Sequence, residues 1–112
     1  MKFLLALWLM LAFSVQAAFV PGTDVPLMDG LVVDENEGFS FDTPEGQIMT
    51  IVATSDASAK EITSFYQESL SALGWKTMAV NQYRRDQDEL MLKITSAAGK
   101  TVLKLQLTFA NK

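Results

Sequence analysis

Apolar and polar residues alternate along the C-terminal third of the chain, and this pattern predicts β-strands with two unlike faces. In segment 101–109 one face receives Leu103, Leu105, Leu107 and Phe109, and the other receives Val102, Lys104, Gln106 and Thr108. Segment 90–95 alternates in the same way, with Leu90, Leu92 and Ile94 opposite to Met91, Lys93 and Thr95. The residues from Ala97 to Lys100, around Gly99, predict the turn between them. We therefore expect antiparallel strands with one dry and one wetter face.

Three further strands are predicted upstream. Gly38–Asp42 alternates and places Phe39 and Phe41 on one face of a strand. Thr43–Gly46 has proline and glycine at the positions that favour a type I turn, and the β-branched segment Gln47–Thr54 predicts a buried strand that completes a hairpin. Trp75–Arg84 is expected to run as one strand that ends in a polar turn at Arg85–Asp88.

The segment between these strands predicts an amphipathic helix. Ser58 and Glu61 have the spacing of a capping box at its start. Gly74 and Trp75 fit the left-handed residue and the following apolar residue of a Schellman motif at its end. Apolar and small residues recur every three or four positions and form one stripe, which consists of Ala59, Ile62, Phe65, Tyr66, Ser69, Leu70 and Leu73.

These elements predict the α+β class, with one helix packed on an antiparallel sheet in a two-layer sandwich of order ββαβββ. Residues 38–112 form the single predicted domain. Residues 18–37 contain Pro21, Pro26, two glycines and an acidic run, which indicates an extended N-terminal arm. A short strand at Leu31–Val33 is compatible with this interpretation.

Residues 1–17 have the pattern of a signal peptide. Lys2 precedes an unbroken apolar run from Phe3 to Phe13, and small residues follow at Ala17 and Ala18. Cleavage after Ala17 places Val15 and Ala17 at the two positions that require small side chains. The alternative, an uncleaved anchor, is disfavoured because the run is shorter than the roughly 20 residues of a spanning helix. Both interpretations predict an exported protein, periplasmic or secreted.

Composition excludes several kinds of chemistry. The 112 residues include no cysteine and no histidine, so disulfides, His/Cys zinc sites, and catalysis by a cysteine nucleophile or a histidine base are ruled out. A net charge of -4 gives no general electrostatic reason to bind nucleic acid. Glycine-rich phosphate loops and G-x-S-x-G motifs do not occur. We therefore predict a non-enzymatic protein without a cofactor, and no catalytic residue.

Charge is divided unevenly along the mature chain. Segment 18–59 carries eight acidic residues and no basic one, whereas segment 60–112 carries eight basic and five acidic residues. The favoured interpretation is internal pairing, with acidic loops folded over a basic sheet face; the alternative is two charged surfaces that serve a partner. The acidic run 34–37 suggests calcium, but Gly38 falls at position 5 counted from Asp34, whereas an EF-hand loop needs glycine at position 6, so a solvated loop is preferred.

Several segments occur together in a combination that resembles a known group. They are Asp24–Met28, Phe41–Gly46, the helix end Phe65-Tyr66…Leu70…Leu73-Gly74-Trp75, and a hairpin beginning near Arg85 and Glu89-Leu90. In these the chain resembles a group of small, exported, uncharacterised bacterial proteins of proteobacterial type. The resemblance covers about Asp24 to Phe109. It implies a fold and a compartment, and it transfers no catalytic residue.

Two functions remain open. In the first, the protein is an interaction module of the bacterial envelope that docks on a protein partner through the wetter sheet face or the arm; the docking residues are then Met91, Lys93, Lys104 and Gln106. In the second, it carries a small apolar ligand between helix and sheet, in a pocket lined by aromatic residues. These aromatics are preferred as core, because a small domain needs them to fill its interior. They are Phe39, Phe41, Phe65, Tyr66, Trp75, Tyr83 and Phe109.

Overall fold

The computed structural model describes residues 18–110, so the predicted signal peptide, residues 1–17, lies outside the described residues. One helix and seven strands are formed in this range. They follow the order β1 (Val32–Val33), β2 (Phe39–Thr43), β3 (Gly46–Ser55), α1 (Ala59–Ala72), β4 (Lys76–Ala79), β5 (Gln82–Arg85), β6 (Asp88–Ala97) and β7 (Lys100–Ala110). The α+β class is therefore confirmed, whereas the sheet has more strands than the order ββαβββ.

All strands belong to one antiparallel sheet. Its order is β1-β3-β7-β6-β5-β4. Strand β2 pairs with the first half of β3, on the same edge on which β1 pairs with the second half. The long strands β3, β7 and β6 form its centre. Gly46, after the β2–β3 turn, lies so close to β7 that a Cβ there would stand 1.9 Å from the carbonyl oxygen of Phe109. Only glycine fits at this position.

The single strand expected over Trp75–Arg84 is wrong. A turn at Val80 and Asn81 divides it into β4 and β5, and Asn81 adopts a left-handed conformation with φ of 61°. Asparagine tolerates this conformation better than most residues, so the chain reverses there without a glycine. The result is an extra hairpin at the edge of the sheet.

The predicted helix ends are confirmed. The Ser58 side chain accepts a hydrogen bond from the Glu61 backbone N–H at 3.1 Å, and the Glu61 carboxylate accepts one from the Ser58 backbone N–H. At the other end, the N–H groups of Trp75 and Gly74 donate to the carbonyls of Leu70 and Ser71, as a Schellman motif requires. Gly74 has the expected positive φ of 92°.

One face of the sheet forms the core with the helix. Ile62, Tyr66 and Leu70 of α1 have no exposed surface. The alternating leucines of β6 and β7 are at most 4% exposed and belong to the same buried cluster, namely Leu90, Leu92, Leu103, Leu105 and Leu107. The dry face predicted from the alternation is the face that carries the core.

The N-terminal arm also belongs to this core. Val20, Val25 and Leu31 are buried in the same cluster as the helix stripe. The Tyr66 hydroxyl donates a hydrogen bond to the Pro26 carbonyl at 2.8 Å, which attaches the arm to the helix. Burial raises the pKa of Tyr66 to about 12. The arm therefore contributes apolar area that a small domain needs.

Arg85 joins three separate parts of the chain. Its guanidinium donates to both carboxylate oxygens of Asp24 in the arm, at 2.9 and 3.1 Å, and to the carbonyl of Leu73 at the helix end, at 3.2 Å. It also lies 4.5 Å from the centre of the Trp75 ring. The hydrogen bond from Arg85 holds the pKa of the Asp24 carboxyl below its usual value. This clamp fixes the arm to the helix end.

Candidate interaction surface on the sheet

The sheet face opposite to the helix is exposed over much of its area within residues 18–110, although Thr50 at its centre is buried. We call it the open face, and it consists of the outward side chains of strands β2 to β7. The four predicted docking residues, Met91, Lys93, Lys104 and Gln106, are all exposed on it. Strand pairing brings them together, because Met91 lies directly opposite Gln106 and Lys93 directly opposite Lys104. The predicted residues therefore form one contiguous patch.

The two lysines of this patch have no ion-pair partner within residues 18–110. The ion pairs found there involve other residues: Arg84 with Glu89, Arg85 with Asp24, and Lys100 with Asp56. Two of these pairs, Arg85–Asp24 and Lys100–Asp56, join the acidic and basic halves of the chain, and Lys100 lies at the start of β7 on the same side as Lys104. The expected internal pairing therefore occurs at these two positions, whereas Lys93 and Lys104 have no acidic partner within residues 18–110.

Two aromatic residues extend the open face beyond the patch. Phe39 pairs with Thr50 and Phe41 with Ile48, which places both rings on the side that carries Gln106. They are 56% and 47% exposed, and their rings stack with centroids 5.8 Å apart. The preference for these two residues as core is wrong. The other predicted core aromatics are buried, as are Tyr66, Trp75 and Tyr83, or packed partly buried against the core, as are Phe65 and Phe109.

A concave pocket adjoins the patch on its β4 side. It has a volume of about 270 Å³ and lies over strands β4 to β7. Its lining includes Met78, Gln82, Arg84, Met91, Gln106 and Thr108. Met78 and Met91 are 60% and 47% exposed, so two flexible thioether side chains border the pocket. The sequence pattern does not place Met78 beside Met91, because the hairpin of β4 and β5 that brings them together is not predicted from it.

Some polar side chains of the pocket are already paired with other side chains, and others are not. Arg84 is paired with Glu89 at 2.9 Å, with both side chains more than half exposed. The side chains of Gln82, Gln106 and Thr108 take part in none of the hydrogen bonds found within residues 18–110. Amide and hydroxyl groups of this kind can donate to and accept from a peptide backbone. The pocket therefore combines apolar walls with unengaged hydrogen-bonding groups.

The acidic run 34–37 forms a loop between β1 and β2. The Asp34 carboxylate accepts a hydrogen bond from the backbone N–H of Asn36 at 3.0 Å. Among residues 18–110, no three acidic, histidine or cysteine side chains come together in a group that could hold a metal ion. Over the same residues, no helix is long and apolar enough to cross a bilayer.

Comparison with known proteins found no match of this chain to a family model, to a curated protein or to a solved structure. The resemblance to small exported bacterial proteins therefore stays a prediction.

Proposed function

We propose that the protein is a small, exported, non-enzymatic interaction module of the bacterial envelope, and that it docks on a protein partner through the open face. The observation that carries this proposal is the exposed patch of Met91, Lys93, Lys104 and Gln106, flanked by Phe39 and Phe41. Contiguous exposed apolar surface with a polar rim is typical of interaction sites. The uncompensated lysines favour a partner that is acidic where it contacts them.

The lysine pair supports a binding role on energetic grounds. Like charges directly opposite each other across a β-ladder lower stability. Lys93 and Lys104 stand in this relation, and no acidic side chain of residues 18–110 pairs with either ammonium group. A negatively charged partner would remove the repulsion on binding. The size of the face fits as well, because its six strands lie about 4.8 Å apart and every second residue along a strand adds about 7 Å, so that the face covers several hundred Å², near one side of a small interface.

The alternative function, a carrier of an apolar ligand between helix and sheet, has no specific observation in its favour. Ile62, Tyr66 and Leu70 fill that layer and have no exposed surface. The 270 Å³ pocket lies on the other side of the sheet. Native mass spectrometry of the protein isolated from its own envelope fraction would separate the two functions. A bound small molecule supports the carrier, and a protein in fixed ratio supports the interaction module.

Charge reversal on the open face tests the proposal. We expect Lys93→Glu combined with Lys104→Glu to fold normally, because both side chains are exposed, and to lose capture of the envelope partner. The control is Lys60→Glu combined with Gln67→Glu, which also adds negative charge, but at exposed helix positions off the open face. Capture is measured by co-purification from envelope extract. Equal capture by both double variants would contradict the assignment of the open face.

A further inference from the structure

We infer that the open face recognises an extended acidic peptide segment, in which an apolar side chain enters the pocket between Met78 and Met91 and a carboxylate two residues away binds Lys93 and Lys104. This inference rests on the proposed function and specifies the partner's chemistry. It joins two features of the open face, the concave pocket and the lysine pair.

The pocket determines where an apolar side chain of the peptide would bind. The pocket volume of about 270 Å³ accommodates one large apolar side chain rather than a folded element. Methionine side chains adapt to differently shaped apolar groups, so Met78 and Met91 favour an apolar side chain without selecting a single residue type. Leucine, methionine and phenylalanine are the natural candidates.

The two lysines determine where a carboxylate of the peptide would bind. Met91 and Lys93 are two residues apart in β6 and point to the same face, which corresponds to about 7 Å along the strand. An extended peptide that runs along β6 also repeats its side-chain direction every two residues. An acidic residue two positions from the apolar one would therefore reach the lysine pair.

The polar lining favours a peptide over a lipid surface. The side chains of Gln82, Gln106 and Thr108 are available to the carbonyl and N–H groups that an extended peptide presents. Lipid tails offer no such groups. Exposed phenylalanines and lysines would also suit an anionic membrane, so binding to lipid is treated as a competing outcome of the test.

A random-peptide selection on the immobilised chain from Ala18 onward tests this inference. The enriched peptides are expected to carry leucine, methionine or phenylalanine two positions from aspartate or glutamate. On the variant with Lys93→Glu and Lys104→Glu, the apolar preference should persist and the acidic preference should change to lysine or arginine. Affinity of a selected peptide, measured by fluorescence anisotropy, should fall at least tenfold on the double variant and on Met91→Asp, and stay within twofold on the control variant with Lys60→Glu and Gln67→Glu.

The other outcomes overturn different parts of the account. Selected peptides that lose affinity on Met91→Asp but show no acidic preference would overturn the inferred carboxylate and leave the open face as the docking site. Peptides unaffected by either open-face variant would overturn the proposed function as well. Failure to enrich any peptide sequence would overturn the peptide inference. So would binding to lipid instead of peptide, seen as co-sedimentation of the protein with phosphatidylglycerol vesicles that is lost in the open-face variants. Thermal melting of each variant separates loss of binding from loss of fold.

Discussion

The two faces of the sheet are built from the same strands but have opposite environments. In β7, Leu103, Leu105 and Leu107 are at most 2% exposed, whereas their neighbours Lys104 and Gln106 are exposed. The helix and the arm cover the first face, whereas the second face exposes Met91, Lys93, Lys104 and Gln106. We conclude that the inner face determines stability, and we propose that the open face determines binding. Because neighbouring residues separate the two roles, single substitutions can test them independently.

The largest effect is expected at the centre of the helix stripe. Leu70 has no exposed surface, so Leu70→Asp would place a charge without a partner in the core. We expect a loss of about 4 kcal/mol or more in the free energy of unfolding, enough to unfold many domains of this size. Gln67→Asp, on the exposed side of the same helix, is the control and should cost less than about 1 kcal/mol. An unchanged urea midpoint for Leu70→Asp would show that the stripe is not part of the core.

Neighbouring residues of β7 give the sharpest contrast between the faces. Leu105→Ala removes a side chain that is 1% exposed, and we expect it to lower the free energy of unfolding by about 2–5 kcal/mol. Lys104→Ala removes an exposed side chain that faces a like charge, so stability should change by less than about 0.5 kcal/mol, or rise slightly. Urea denaturation measures both. Equal losses would mean that the open face is also covered.

A small effect is expected at the clamp between the arm and the helix end. The pKa of Asp24 is lowered, chiefly by the hydrogen bond from Arg85, so the ionised carboxylate stabilises the folded state. Its contribution is present above the ordinary carboxyl pKa near 3.8 and is lost as the pH falls through the lowered value. Asp24→Asn should therefore cost less than about 1 kcal/mol at pH 7, because the pair is largely solvated. The difference from the wild-type chain should vanish in acid. A difference that persists at pH 2 would contradict this explanation.

Much of the fold follows from local patterns. The capping box at Ser58 and the Schellman motif at Gly74 depend on residues within one helical turn, so the sequence alone predicts both helix ends. The contiguity of Met91, Lys93, Lys104 and Gln106 on one face was also predictable. β6 and β7 alternate in phase and are joined by a short turn at Ala98 and Gly99, which fixes the pairing register and hence the opposition of Lys93 and Lys104.

Other features depend on contacts between distant segments. Alternation shows that Phe39 and Phe41 share a face, but not which face. The partner strand β3 is apolar on both sides, and so its own pattern does not decide the question. The turn at Asn81 lacks the glycine that commonly marks a hairpin, and the pocket bordered by Met78 was missed with it. Burial of Val20 and Val25 in the arm likewise depends on a surface that exists only after the helix and sheet have packed.

The most direct test of the account measures stability and partner capture together in variants of the two faces. The variants are Leu105→Ala on the inner face and Lys93→Glu with Lys104→Glu on the open face, and capture is expressed per folded molecule. The account predicts that Leu105→Ala loses stability and retains capture at a temperature where it is still folded. It predicts that the charge reversal retains stability and loses capture. Loss of capture with Leu105→Ala while it is folded, together with full capture by the charge reversal, would contradict the separation of the two faces.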